Sequence, residues 1–457
     1  MVASPESGGR SARSRVVAAL LVLLALGLSA LGLVVLTSAG KSFKASDPHF
    51  IFNRQLIYFC LACLVGVGVA CVNLDWLRRR VVWIYGLVAL GLVLVRIPGI
   101  GRPVKGSWRW IQLGPFNLQV SDLGKFALLL ALAHYLAKNR RWFSPPRPAL
   151  WEWDWSGWRA WRPLSGAPEV VRWMGPPVRL ACAPLWPLRF LRPNGYEIHR
   201  PFAALPQVRG VRPTQDATMD FMYGFIHPCL IIAGVCGLIA IEPDLGTMVL
   251  CAAVAGTMLF VAGVRHLYVW PLVGLASTVL SVVVLGWENR RNRVISFLYP
   301  EEHKQGVGYQ LWQGMRGFAC GGTDGAGLGN GMQQEAFLPE AHTDFIFAIV
   351  GEELGLWFTL GVAAAFLAFF ALVVSHLPRQ QDVFRFNICL GAMLFIVYQA
   401  LINMGVVTGL LPTKGMSLPF ISYGGTNILM MFALVGLILN CMRTGSRLSL
   451  AGPREIP

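Results

Sequence analysis

Runs of roughly 20 apolar residues recur along the chain, each long enough to carry an α-helix across the ~30 Å hydrocarbon layer of a bilayer. Ten spans are predicted, at roughly 16–37, 51–71, 80–97, 118–137, 223–241, 245–264, 268–286, 344–375, 385–406 and 425–443. The first follows Arg10, Arg13 and Arg15 and so has the layout of a signal peptide. Its apolar run of about 21 residues exceeds the 7–15 of a signal-peptide core, and it reads as a retained anchor. Two stretches break the pattern. Residues 138–222, with "RRWFSPPRPALWEWDWSGWRAWRP", have no sustained helical or strand period and too many prolines to span. Residues 287–343 form the second, and within them lies the glycine-dense "CGGTDGAGLGNG" at 320–331, which suits tight turns or close approach to a ligand.

The expected fold class is therefore an all-α integral membrane protein of about ten transmembrane helices. It carries a large extracytoplasmic loop at 287–343 between the seventh and eighth helices and a cytoplasmic insertion at 138–222 between the fourth and fifth. Tails at 1–15 and 444–457 flank the helix blocks 16–137, 223–286 and 344–443.

Composition agrees: 55% of the 457 residues are hydrophobic and only 14% charged, too little polar surface for an aqueous globule of this size. The net charge of +16 suggests nucleic acid until the basic residues are located. They cluster at the ends of apolar runs, where they set topology, and no nucleic acid partner is expected. An N-terminus in the cytoplasm puts Arg78-Arg79-Arg80, the basic 138–222 segment, Arg265, Arg379, Arg443 and Arg447 inside. "ENRRNR" at 288–293 is the exception, on the outer side. The Trp and Arg of the insertion suit the membrane headgroup region, although an unstructured extra segment explains them as well. Most of the ten cysteines lie inside apolar runs, and their reading is packing rather than metal binding or disulfides.

Against so apolar a background, ionisable residues at span ends carry the information. "QVSDLGK" places Asp122 and Lys125 three apart on one helix face, as a structural pair or a functional one. "IEPDLGT" sets Glu242 and Asp244 around Pro243, as a capped turn if nothing more. In "LPEAHTDFIFAIVGEELG", Thr343 or Asp344 is expected to cap a helix that carries Glu352 and Glu353 two turns into the apolar run. "LLPTKGMSLPFISYGGT" is an interrupted segment with Lys414, of the kind that lines a cavity or is buried in protein. "FLYPEEHKQGVGYQ" adds Glu301, Glu302, His303 and Lys304 in the outer loop.

The order "RWIQLGPFNLQVSDLGK", "EPDLGT", "GYQ" with "LPEAHTDFIFAIVGEELG", then "LLPTKG" with "LPFISYGGT" resembles the SEDS proteins (shape, elongation, division and sporulation) over about four fifths of the chain. "PEAHTDFIFAI", "GEELG", "LLPTKG" and "GLGN" are more similar to the division member than to the elongation member. The resemblance implies a ten-span SEDS fold in the bacterial cytoplasmic membrane, at the division septum. It implies an inverting glycosyltransferase that polymerises lipid II, the undecaprenyl-pyrophosphate-linked disaccharide peptide, into peptidoglycan. It also implies a class B penicillin-binding protein as crosslinking partner, with other membrane proteins of the division machinery and membrane lipids around it. It names no certain cofactor, and a divalent cation, Mg or Mn, at the pyrophosphate stays open.

Carried over motif by motif, the substrate-binding candidates are Arg109, Gln119, Ser121, Asp122 and Lys125; Tyr309 and Gln310; His342, Thr343, Asp344, Glu352 and Glu353; and Lys414 and Ser422. The essential Asp of the family lies six residues before the Tyr of "GYQ", and here that position is His303. Glu302, one residue earlier, or neutral His303 is then the base that takes the acceptor's proton. Because His303 stands at that place, a catalytically silent division scaffold is a second reading and a lipid II flippase a third. The outer acidic loop and the lack of an evident internal repeat favour the enzyme over the flippase. Val120, Asp122 and Glu242 stand where the family has Pro, Glu and commonly Gln. Residues 142–215 are expected to be dispensable for chemistry on the opposite face.

Overall fold

The computed structural model describes residues 5–39, 49–99, 101–104, 107–113, 116–140, 143, 219, 221–264, 266–333, 337–380 and 382–448, so most of the insertion lies outside the described residues. Its helices are α1 (Pro5–Ala39), α2 (Phe50–Cys71), α3 (Leu74–Arg79), α4 (Val81–Leu94), α5 (Val120–Lys138), α6 (His227–Ile241, entered through a π-turn), α7 (Leu245–Ala262), α8 (His266–Leu285), α9 (Glu288–Leu298), α10 (Tyr309–Gly321), α11 (Ile346–His376), α12 (Val383–Val407) and α13 (Gly425–Leu448). Among the described residues, nine helices are long and apolar enough to cross a membrane.

The span expected at 80–97 is a correction: α4 has only 14 residues, about 21 Å of helix. It still carries the chain from one end of the bundle to the other. Just before it, the Val69 and Val72 carbonyls accept from Asn440 near the C-terminal end of α13. Just after it, Asn117 and Gln119 bond Thr426 at the start of α13. A three-stranded antiparallel sheet makes up the difference in length: β1 (Gly101–Val104), β2 (Ser107–Leu113) and β3 (Phe116–Gln119), in the order β1-β2-β3. Its strands are short and mix polar with apolar residues, so they leave no long apolar run.

The centre of the bundle is formed by α5, α12 and α13, whose residues are largely buried on all sides, and α2 lies along α13. Helix α8 buries none of its apolar window and stands with its surface to the lipid. Exposed Leu, Val and Trp on α1, α2, α4 and α8 need no protein partner in a bilayer, where lipid is the solvent.

The outer loop folds onto α11. Helix α10 packs so closely against its first half that a side chain at Gly314 would meet Phe345, and one at Gly321 would meet the Gly351 carbonyl. Helix α11 breaks at Gly355, whose φ of 77° is left-handed. The glycine-dense turn fills the break: Leu356 N–H donates to the Gly322 and Thr323 carbonyls, and the Glu352 and Glu353 carbonyls accept from Ala326 and Gly327. Backbone groups freed inside a membrane helix must find such partners. Thr343 and Asp344 do not cap this helix, contrary to the expectation; the boundary residue is Phe345, and the Thr343 hydroxyl turns back to Glu340.

Candidate functional site

The sequence-predicted residues separate into four groups. The first lies where β2, the α6–α7 turn, the start of α5 and the 408–424 segment meet. Arg109, on β2, donates from Nε to the Glu242 carbonyl at 3.0 Å and from Nη2 to the Pro243 carbonyl at 2.7 Å; its Nη1 lies 3.9 Å from Asp244. Asp244 caps α7 by accepting from the Thr247 backbone N–H, and it also accepts the Thr247 hydroxyl at 2.8 Å, the Ser121 hydroxyl at 3.2 Å and the Gln119 amide at 3.4 Å. Lys414 reaches over this turn, its side chain against Gly246.

Electrostatics follow from this packing. Burial works to raise the Asp244 carboxyl, but the Arg109 guanidinium, the Lys414 ammonium and the bonds from Thr247 bring it below the usual carboxylate value. Burial pushes Lys414 down to about 8; Asp244 opposes that fall, while Arg109, Arg293 and Arg290 add to it. Cations from the sheet and the 408–424 segment therefore converge on one carboxylate, and Arg290 and Arg293 of α9 lie close enough to act on Lys414. This arrangement suits an anionic group.

The second group is sealed inside. Lys125 Nζ lies 2.8 Å from Asp122 and 2.9 Å from Gln399 Oε1, and both ion-pair partners are almost fully buried. Gln399 in turn donates to the Ser417 carbonyl and to Asn427. One helical turn on, Asn403 donates to the carbonyls of Asp344 and Met416. Through Gln399, Lys125 therefore ties α5 to α12 and the broken segment. Gln399 and Asn403 escaped the sequence reading, which weighed only ionisable residues and turns. Two polar residues four apart in "FIVYQALINMG" were the available signal, since that spacing puts both on one face of an apolar helix.

The third group holds loops. Glu352 accepts from the backbone N–H groups of Met332 and Gln333, and Glu353 from Gly329 and the Ser38 hydroxyl. Both carboxylates are nearly fully buried and anchor the glycine-dense turn. Gln310 donates to the Pro339 carbonyl from the first turn of α10, which Tyr309 opens. The His342 carbonyl accepts from Tyr423, the Asp344 carboxylate packs on Gly415, and the Ser422 hydroxyl accepts from Leu418. These contacts brace residues 339–345 against the 408–424 segment.

The fourth is the outer turn at 299–308. Glu302 is exposed and His303 half-buried, and neither side chain has a hydrogen bond or ion pair among the described residues. The turn closes on itself: a side chain at Gly308 would meet the His303 carbonyl. Lys304 lies over the Trp312 ring at 4.3 Å. Among the described residues no group of three or more His, Cys, Asp and Glu converges as ligands around a resident ion would. The two carboxylates of the α6–α7 turn face Arg109, and the residues do not form a cation cage.

Residues 18–153 and 207–447 match the cell cycle protein family of FtsW, RodA and SpoVE. A probable peptidoglycan glycosyltransferase FtsW from Geobacter metallireducens is 32% identical over 424 residues, covering 92% of this chain and 93% of the relative. One of the same description from Coxiella burnetii is 32% identical over 440 residues, 92% and 94% of the two chains. Among solved structures, a chain described under the structural coordination of polymerization and crosslinking by a peptidoglycan synthase complex superposes with a TM-score of 0.63 at 23% identity, covering 93% of this chain and 97% of that one. The rod shape determining protein RodA of Thermus thermophilus gives 0.57 at 22%, covering 93% and 95%. Two blocks of matched sequence, relatives aligned nearly end to end and a shared bundle agree with the motif order: the chain belongs to the FtsW/RodA/SpoVE family of SEDS proteins.

Proposed function

We propose that the chain is an inverting peptidoglycan glycosyltransferase that polymerises lipid II on the outer face of the bacterial cytoplasmic membrane during division. The observation that carries this reading is the convergence of Arg109 and Lys414 on Asp244, a cationic arrangement suited to an anionic leaving group. The acceptor's 4-hydroxyl attacks the donor's anomeric carbon, a C–O bond forms, and the bond to the lipid pyrophosphate breaks with inversion. The proton passes to Glu302 or His303, and the cations hold the departing negative charge. Neither base has a competing side-chain partner among the described residues, which favours direct access to substrate.

A class B penicillin-binding protein is the expected partner, on the strength of the family and of the synthase complex to which the fold is similar. The test is polymerisation of lipid II by the purified protein with its cognate partner, read as glycan strands. Translocation of lipid II without glycan would support a flippase, and neither activity would support the scaffold that the His303 replacement suggests.

A further inference from the structure

Glu242 is buried in the α6–α7 turn with a side chain that nothing in the preceding roles uses. It is 0% exposed, and among the described residues neither carboxylate oxygen has a hydrogen-bond partner. Its neighbours are charged. Asp244 shares its turn, Arg109 approaches from β2 and grips the Glu242 main-chain carbonyl, Arg96 faces it from beyond α4, and Lys414 faces Asp244 from the 408–424 segment. An ionised carboxylate without hydrogen bonds in a closed site is strongly disfavoured, and a second carboxylate beside it adds to the penalty. Burial first and Asp244 second push the Glu242 carboxyl up to about 8, against the pull of Arg109 and Arg96. The neutral acid is therefore its form at pH 7.

We propose that Glu242 is a positioning residue for the pyrophosphate end of the substrate: as a neutral acid it leaves Arg109 and Lys414 opposed by Asp244 alone, and on losing its proton it neutralises them. With the proton in place, Arg109, Lys414 and Asp244 carry one net positive charge. With the proton given up to solvent, the four groups carry none, and a pyrophosphate is attracted less strongly. Linkage requires the converse, that a bound pyrophosphate makes Glu242 hold its proton more tightly. The proposal rests on reading the chain as a lipid II polymerase, and it adds a group whose protonation sets how firmly that substrate is held.

The test uses the full-length protein in phosphatidylcholine nanodiscs with undecaprenyl pyrophosphate as probe. Its binding is compared between wild type and Glu242→Gln from about pH 6 to about pH 9, a range spanning the Glu242 transition. The two proteins should bind alike at the acid end and differ by about tenfold at the alkaline end, with Glu242→Gln the tighter. The probe's own titration cancels in that ratio. Lys414 titrates in the same window, so the comparison is repeated on Lys414→Arg, whose guanidinium keeps its charge, and the tenfold difference should persist. A protonated-carboxyl infrared band should be present in wild type at pH 7, vanish as the pH is raised, and be missing in Glu242→Gln. Glu242→Met, apolar and of similar length, replaces the glutamine should that variant not fold. Superimposed binding curves, or no protonated-carboxyl band at pH 7, overturn the proposal. A retained binding pattern without polymerisation would instead overturn the polymerase reading and leave the role of Glu242 standing.

Discussion

At the residue scale, the base is the first matter that substitution decides. If Glu302 takes the proton, Glu302→Gln should abolish polymerisation, since the amide keeps the shape and lacks basicity, while His303→Ala keeps much of it. His303→Asp places the family's residue in an otherwise retained frame, from Pro300 to Gln310, and should rescue Glu302→Gln. If His303 is the base instead, His303→Ala is the silent variant and Glu302→Gln keeps its activity. Lipid II polymerisation rates of the four proteins decide between them.

Lys125 is a residue of a different kind. It is enclosed with Asp122 and Gln399, so Lys125→Ala strands a buried carboxylate and should lower stability by about 3–5 kcal/mol. The double variant Asp122→Asn/Lys125→Met removes both charges and should recover most of that loss, read as melting temperature in detergent. Glu242 has a signed pH effect. Its folded-state value is raised from its ordinary 4.5 to about 8, so the native state holds a proton that the unfolded chain releases. The stability this group contributes is complete below about pH 4.5 and is lost as pH rises towards 8. Glu242→Gln should therefore flatten the fall in melting temperature between pH 5 and pH 8.

At the element scale, the outer loop and α11 form one unit in which helix and loop complete each other's hydrogen bonds. Gly355 is its hinge, with a left-handed φ of 77° and the Gly325 N and Thr323 O atoms each 2.5 Å from where a Cβ would stand. Gly355→Ala meets both the conformational penalty of about 1–2 kcal/mol and the clash, and should undock the glycine-dense turn. Limited proteolysis should then cut within 320–331, and polymerisation should fall. Gly361, on the same helix with open space around it, is the control, and Gly361→Ala should behave as wild type.

At the scale of the whole molecule, the candidate chemistry lies at one end of the bundle and the insertion joins α5 to α6 at the other. Phe143 refines where that insertion can be cut: it is buried and meets the Tyr135 ring edge-on at 6.4 Å, so a deletion should start at 144 and not at 142. Removing 144–215 should leave at least half of the polymerase activity with intact expression. Loss of activity in a well-expressed deletion would show that the Trp-rich segment supports the fold.

The sequence by itself determined the membrane class, the positions of most spans, the family and which motifs carry charge. All of these follow from local properties: the length of apolar runs and residues adjacent in the chain. The sheet between α4 and α5 was illegible because four-residue strands gain their stability from pairing and not from their own pattern. Only the tertiary structure decided which charges face outward and which are spent internally. The sequence left Asp122 and Lys125 open as a structural pair or a functional one and offered Glu352 and Glu353 as substrate-binding candidates; in the fold Asp122 and Lys125 pair with each other, Gln399 joins Lys125, and Glu352 and Glu353 bond Ser38 and the backbone of a distant loop. Glu242 and Asp244, two residues apart, differ for the same reason. The fold surrounds Asp244 with donors and cations and, among the described residues, gives the Glu242 carboxyl no hydrogen bond, so desolvation decides one charge state and hydrogen bonding with ion pairing the other.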